Sequence, residues 1–170
     1  MPVMQRIAPF LWFDHEAEDA AKFYVSIFKN SKIVSVTRYS KAGQDAHKRP
    51  PGSVMTVAFE LEGQAFTALN GGPAFKFNEA VSLQVNCSNQ EEVDYYWDKL
   101  SAGGDPKAQA CGWLKDKYGL SWQVTPTVLL DLIKDQESPK GQRTMEAMLR
   151  MKKIDIREIE RAAAGQPVTA

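Results

Sequence analysis

The order strand, helix, strands occurs twice along this chain, with a period of about 74 residues. No other feature restricts the fold as much. The period is too long for a solenoid repeat and points to a duplicated βαβββ module, although spacing alone does not make the halves homologous.

In the first half, Arg6 to Phe13 is apolar on both faces, as in a strand buried on both sides. Asp14 reads as a helix N-cap, with Glu16, Glu18 and Asp19 favourably placed against the helix dipole. Ala17, Ala20, Ala21, Tyr24, Ile27 and Phe28 fall at helical spacing, and Asn30 suits a left-handed stop. Three strand-like runs follow, over 33–39, 53–62 and 64–70, the last two joined by a tight Glu62-Gly63 turn. The loop from Lys41 to Gly52 is polar.

In the second half, Ala80 to Cys87 reads as a strand. Ser88 and Glu91 have capping-box spacing. Val93, Tyr96, Trp97 and Leu100 make a helical stripe that Gly103-Gly104 ends. Short strands are expected around 107–113 and 120–124. Within Cys111 to Gln123, apolar and polar residues interleave on both sides of a charged turn, Lys115 to Gly119, whose glycine permits the reversal.

After Pro126 the pattern turns helical, with helices expected over 127–134, from Ser138-Pro139 through Met151-Lys152, and over 154–164. This Met-rich tail suits packing either on its own domain or on a second subunit.

Composition removes several function classes. Twenty-one basic residues balance twenty-one acidic ones, so the electrostatic term that drives phosphate binding is missing and nucleic acid is not expected. No apolar run approaches the roughly 20 residues of a membrane span. Met1 to Arg6 lacks a leader pattern, and the two cysteines are too few for a disulfide scaffold. A cytoplasmic protein is expected.

The paired modules, Phe23-Tyr24 and the Asp116-x-x-Gly119 turn resemble the vicinal oxygen chelate superfamily, which includes glyoxalase I, bleomycin-resistance proteins and extradiol dioxygenases. Ile7 to Phe13, Ala68 to Pro73, Glu91 to Trp97, Cys111 to Gln123 and Met148 to Ile156 look like its PhnB-like branch, which carries the label 3-demethylubiquinone-9 3-methyltransferase. The resemblance implies an α+β fold of two βαβββ modules (6–74 and 78–126) forming a curved, cup-shaped sheet. C-terminal helices over 127–164 complete a single domain spanning 1–170. It also implies a homodimer.

In metal-dependent members, His and Glu ligands sit on four inward strand positions. By resemblance these fall near Ala8 or Pro9, Phe66, Ala80 and Gln123. Three are apolar and the fourth is an amide, so no metal is expected. No cofactor is expected either. The first strand runs into Asp14-His15-Glu16 with no glycine, whereas a common S-adenosylmethionine enzyme has a glycine-rich loop there. Gly71-Gly72-Pro73 leads to no helix.

His15 and His47 read as surface residues, and Cys111 as a buried structural thiol. Trp97 belongs to the helix stripe, and Trp113 is a pocket candidate. Ser82, Gln84 and Asn86 share one strand face, which reads either as solvated or as convergent polar groups in a cup. The expected ligand site comprises Leu11, Phe13, Asn70, Ser82, Gln84, Trp113 and Gln123. The leading function is metal-free binding of a small polar or aromatic molecule, with or without modest catalysis. The alternatives are a metal-dependent lyase or dioxygenase, and a resistance-type sequestering protein.

Overall fold

The structure, a computed structural model, describes residues 5–168. Met1 to Met4, part of the segment read for a leader, lie outside them. The chain divides into two compact units, with the break between Lys76 and Phe77.

The first unit contains β1 (Phe10–Phe13), α1 (Ala17–Ile27), β2 (Lys32–Arg38), a single helical turn α2 (Gln44–His47), β3 (Val54–Leu61) and β4 (Gln64–Asn70). Its sheet has the order β1-β4-β3-β2. β1 runs parallel to β4, and the other neighbours are antiparallel. Glu62 and Gly63, both at positive φ (48° and 79°), turn β3 into β4. That is the two-residue reversal whose twist suits a hairpin.

Pairing decides the faces. Leu11 stands beside Ala68 and Phe13 beside Asn70, while Ala68 stands beside Val57 and Phe66 beside Phe59. Tyr24 of α1 stacks on Phe59, so this is the face that the helix covers. Leu11, Phe13, Val57, Phe59, Phe66 and Ala68 are accordingly buried with Ala17, Ala20, Ala21 and Tyr24. Burial of these side chains is the unit's main source of stability.

Three local expectations need correction. The first strand does not begin at Arg6, and it is not buried on both sides. Ile7 is 86% and Phe10 61% exposed, because α1 covers only one face. Asp14 does not cap α1. The N-cap is Glu16, without a side-chain hydrogen bond, and the Ala17 amide donates instead to Asn70 Oδ1 at 2.8 Å. Asp14 faces Arg49 at 3.4 Å. The polar loop holds the short turn α2, flanked by Gly43 and Lys48 in left-handed conformation. Asn30 is left-handed as expected, φ 46°, a few residues beyond the helix.

The second unit contains β5 (Ser82–Cys87), α3 (Gln90–Ser101), β6 (Trp113–Lys115), β7 (Ser121–Pro126), α4 (Thr127–Leu132), α5 (Pro139–Leu149) and α6 (Ile156–Ala163). Its three-stranded sheet has the order β5-β7-β6, with β5 parallel to β7 and β6 antiparallel to it. The strand expected from Lys107 is not formed. Pro106–Ala108 makes a 3₁₀ turn, with Asp105 Oδ1 accepting from the Lys107 amide, and only the Ala110 to Trp113 bridge precedes β6. The helix cap is also one residue later than expected. Asn89 Oδ1 accepts from the Glu92 amide at 2.9 Å and Glu92 Oε2 from the Ser88 amide at 2.7 Å. A longer polar side chain at 89 takes the capping role from Ser88.

The tail packs on its own unit. Leu129, Ile154 and Ile159 form a buried cluster joined by Met148 and Met151. The backbone at 151–152 accepts from the Cys111 and Gly112 amides at 2.8 and 2.7 Å. The Gln90 amide group bridges Ile154 O and the Ile156 amide. The middle helix stops at Leu149, before Met151-Lys152. Among the described residues, no helix is long and apolar enough to cross a membrane.

Asn70 links the end of β4 to both α1 and β3, since its Oδ1 accepts from the Ala17 amide and its Nδ2 donates to Val54 O at 3.2 Å. Asn70→Ala removes both bonds and leaves the Ala17 amide without its cap. In urea denaturation it should cost about 1–2 kcal/mol.

Candidate functional site

The seven expected site residues divide between two kinds of place. Leu11, Phe13 and Asn70 stand apart from the other four. They lie on the face beneath α1, where the first two are core and the third is engaged with the Ala17 amide and Val54 O. The opposite face of that sheet carries Phe10, Trp12, Thr67 and Leu69 instead. Trp12 Nε1 donates to Gly72 O at 2.8 Å, and Phe75 meets the Trp12 ring edge-on at 5.0 Å. A side chain at Gly71 would strike the Trp12 ring at 2.3 Å, so that glycine admits the indole.

Ser82, Gln84, Trp113 and Gln123 share one face. β5 and β7 pair Ser82 with Ser121 and Gln84 with Gln123, and β6 and β7 pair Trp113 with Gln123 and Lys115 with Ser121. The alternate residues Val85, Cys87, Leu114, Trp122 and Val124 are buried with Val93, Trp97 and Leu100 of α3. The polar set therefore faces away from α3. Gln123 Nε2 donates to Ser82 Oγ at 2.8 Å, and Gln84 Nε2 to Asn86 Oδ1 at 2.7 Å. Gln84 and Asn86 are exposed, while Ser82, Trp113 and Gln123 are half-buried.

A buried carboxylate fixes this arrangement. Asp116, 2% exposed, accepts from the Tyr118 and Leu120 amides at 2.8 and 3.1 Å through Oδ1. It accepts from Trp122 Nε1 at 2.8 Å through Oδ2. Gly119, φ 85°, closes the reversal with its amide on Asp116 O. The turn thus sets the register that puts Trp113 beside Gln123.

Three residues of this face were not singled out from the sequence. Lys115 ends β6 and pairs with the Glu79 carboxylate. That contact holds the Glu79 carboxyl below its ordinary range, chiefly through the Lys115 hydrogen bond. Ser121 is 1% exposed, and its Oγ has no hydrogen-bond partner among the described residues. Counting by twos back from Gln123 reaches Ser121, and the hairpin register then reaches Lys115. Glu79 has no such signal.

The remaining candidates read as follows. His15 is exposed, while the His47 ring lies tilted against Tyr39 at 4.5 Å and accepts from the Arg49 amide through Nδ1. Cys111 is not a buried thiol. It is half-exposed and left-handed, φ 52°, at the point where the chain meets Met151. Cys87 is the buried one, and desolvation pushes its thiol up to about 12.

Two pockets lie off the β5-β7-β6 face. One of about 340 Å³ in the first unit is lined by His15, Glu18, Asp19, Arg49 and Asn70 among others. Another of about 490 Å³ lies between α5 and α6, with both charge signs in its wall, from Arg143, Arg150, Glu146 and Glu158. Arg143 already donates to Ala162 O and Ala163 O there.

The side chains at the four positions that the resemblance assigns to metal ligands do not suit a metal ion. Phe66 is turned under α1 and stacks on Phe59 at 5.3 Å, Gln123 is an amide bonded to Ser82, and the others are Ala or Pro. Such a set supplies no carboxylate, thiolate or imidazole. Among the described residues, no three His, Cys, Asp or Glu side chains are placed to hold a metal ion.

The fold is of the vicinal oxygen chelate type, α+β with a four-stranded and a three-stranded sheet and C-terminal helices. The sequence profile of the 3-demethylubiquinone-9 3-methyltransferase family matches residues 5–125. The PhnB protein of Bacillus cereus, described under that same name, is 38% identical. The match covers 72% of this chain and 100% of that one, with a TM-score of 0.61. The chain therefore belongs to this family, the PhnB-like branch of the superfamily. Protein PA1353 of Pseudomonas aeruginosa is 18% identical at a TM-score of 0.54, over 72% of this chain and 98% of that one. The fosfomycin resistance protein FosX of Listeria monocytogenes is 13% identical at 0.50, over 76% and 96%. These two share the fold. No curated protein matches the chain.

Asp116→Ala should destabilise the protein by about 3 kcal/mol, since it leaves buried donors unpaired. Asp116→Asn should cost less, because it keeps an acceptor for the backbone pair. Urea unfolding followed by tryptophan emission measures both.

Proposed function

We propose that this chain is a small-molecule-binding protein that works without a metal, with its ligand seated on the face of the β5-β7-β6 sheet turned away from α3. The observation that carries this reading is the set Ser82, Gln84, Trp113 and Gln123 on that one face. Trp113 offers contact area, and the amides and hydroxyl offer orientation. A helix-covered sheet has no structural need for amides on its other face beyond solvation. Here Gln123 is half-buried and bonded to Ser82.

The family's name speaks of methyl transfer, but this chain offers no cradle for S-adenosylmethionine of the common kind. β1 passes into α1 through Asp14-His15-Glu16, and the glycines after β4 have packing roles against Trp12 and Arg49. A metal-dependent lyase or dioxygenase is disfavoured by the donor set described above.

Mass spectrometry of small molecules released from freshly purified protein tests the reading. A polar or aromatic molecule near stoichiometric amount is expected, and S-adenosylmethionine is not. Gln123→Leu should reduce its retention by about 1–3 kcal/mol of affinity without unfolding the protein. Release of nothing beyond buffer, or one divalent ion per chain on elemental analysis, would contradict the proposal.

We also infer a cytoplasmic homodimer. β2 is a free edge strand with Val34 and Val36 exposed, and pairing would cover it. Sedimentation equilibrium should give the mass of two chains. A monomer at high micromolar concentration would count against it.

A further inference from the structure

We propose that Ser82, Ser121 and Lys115 form an anion subsite on this face, which takes the carboxylate of a small aromatic acid, and that Glu79 competes for its Lys115 ammonium in the free protein. The proposal rests on the binding reading above and narrows its ligand class.

The three residues stand in one row across three strands. Ser82 is the partner of Ser121, and Ser121 is the partner of Lys115. Neighbouring strands lie about 4.8 Å apart, and partners in register point the same way. Each of the three carries a donor. Ser82 Oγ accepts from Gln123, which leaves its own O–H to donate. Ser121 Oγ is buried and has no partner among the described residues, a state that costs stability and is uncommon in a folded protein. Lys115 contributes the charge. The row therefore offers two hydroxyl donors and an ammonium, which suits an oxyanion.

A carboxylate is already drawn to it. Glu79 lies just ahead of β5, 66% exposed at its side chain, and its contact is with Lys115. An ion pair whose carboxylate stands this far in water is worth little, so a better-placed carboxylate can displace it. Trp113 stands two residues before Lys115 on the same face of β6, within reach of the body of the same ligand. An aromatic acid would meet ammonium, hydroxyls and indole together.

The test is an amide chemical-shift titration of the full chain with benzoate and with its neutral analogue benzamide. Benzoate should shift amides of β5, β6 and β7 saturably and bind more tightly than benzamide. Glu79→Gln removes the tethered competitor. It should tighten benzoate by roughly two- to fivefold, the scale of an exposed ion pair, and leave benzamide unchanged. Lys115→Gln should erase the preference for benzoate. Ser121→Ala should weaken benzoate while the melting temperature of the free protein holds or rises, because an unpaired buried hydroxyl is gone. A purely structural Ser121 would lower the melting temperature on substitution and leave benzoate alone. The subsite is overturned if Glu79→Gln leaves benzoate unchanged or weakens it. It is also overturned, with the binding face still standing, if benzoate and benzamide bind equally and both are lost in Gln123→Leu. If neither compound shifts these strands, the subsite fails, and the binding reading fails with it only where no molecule co-purifies.

Discussion

Each unit pairs its first strand in parallel with its last, β1 with β4 and β5 with β7. Parallel neighbours cannot be joined by a tight turn, so the chain must leave the sheet and return, and the helix that follows the first strand covers one face. From this follows the division of labour within each unit. The covered face collects the apolar side chains whose burial supplies most of the stability. The other face is released from that duty. In the second unit it carries amides, hydroxyls, an indole and an ammonium. Two polar side chains hold the scheme in register. Asn70 ties the end of β4 to the start of α1, and Asp116 ties the β6–β7 turn to Trp122.

Much of this was legible in the sequence. The stripes of α1 and α3, the Glu62-Gly63 reversal, the hairpin through Gly119 and the three C-terminal helices follow from periodicity and turn chemistry. The departures occur where local rules compete with distant partners. Asp14 has the right chemistry to cap α1, but an amide from 53 residues away reaches Ala17 first. Asn89 displaces Ser88 by one position because both can cap and only one geometry is formed. The run from Lys107 to Ala110 alternates polar and apolar residues as a strand would, yet Asp105 and Pro106 set a 3₁₀ turn there.

The candidate site was legible only in half. β5 and β7 alternate apolar with polar residues, so their faces could be assigned by counting. β1 is apolar on both sides, and alternation then says nothing about which side the helix takes. Leu11 and Phe13 went to the core and Trp12 to the other face for that reason. Lys115 and Ser121 become visible only once the hairpin register is known, and the Glu79 contact needs the fold itself. The tail shows the same limit. Its Met-rich stripe is compatible with either a second subunit or its own unit, and the backbone bonds from Cys111 and Gly112 that tie residues 151 and 152 to their own unit need the fold to be seen.

The central claim is that the face of the β5-β7-β6 sheet turned away from α3 is where this protein meets its ligand. A crystal structure of the protein as purified from its expressing cells, without added ligand, tests it most directly. The account predicts electron density for a small molecule in contact with Trp113 and Gln123, with an oxygen toward Lys115 and Ser121. A structure in which that face is packed solid with protein side chains, or in which the bound molecule lies between α5 and α6 instead, would contradict it.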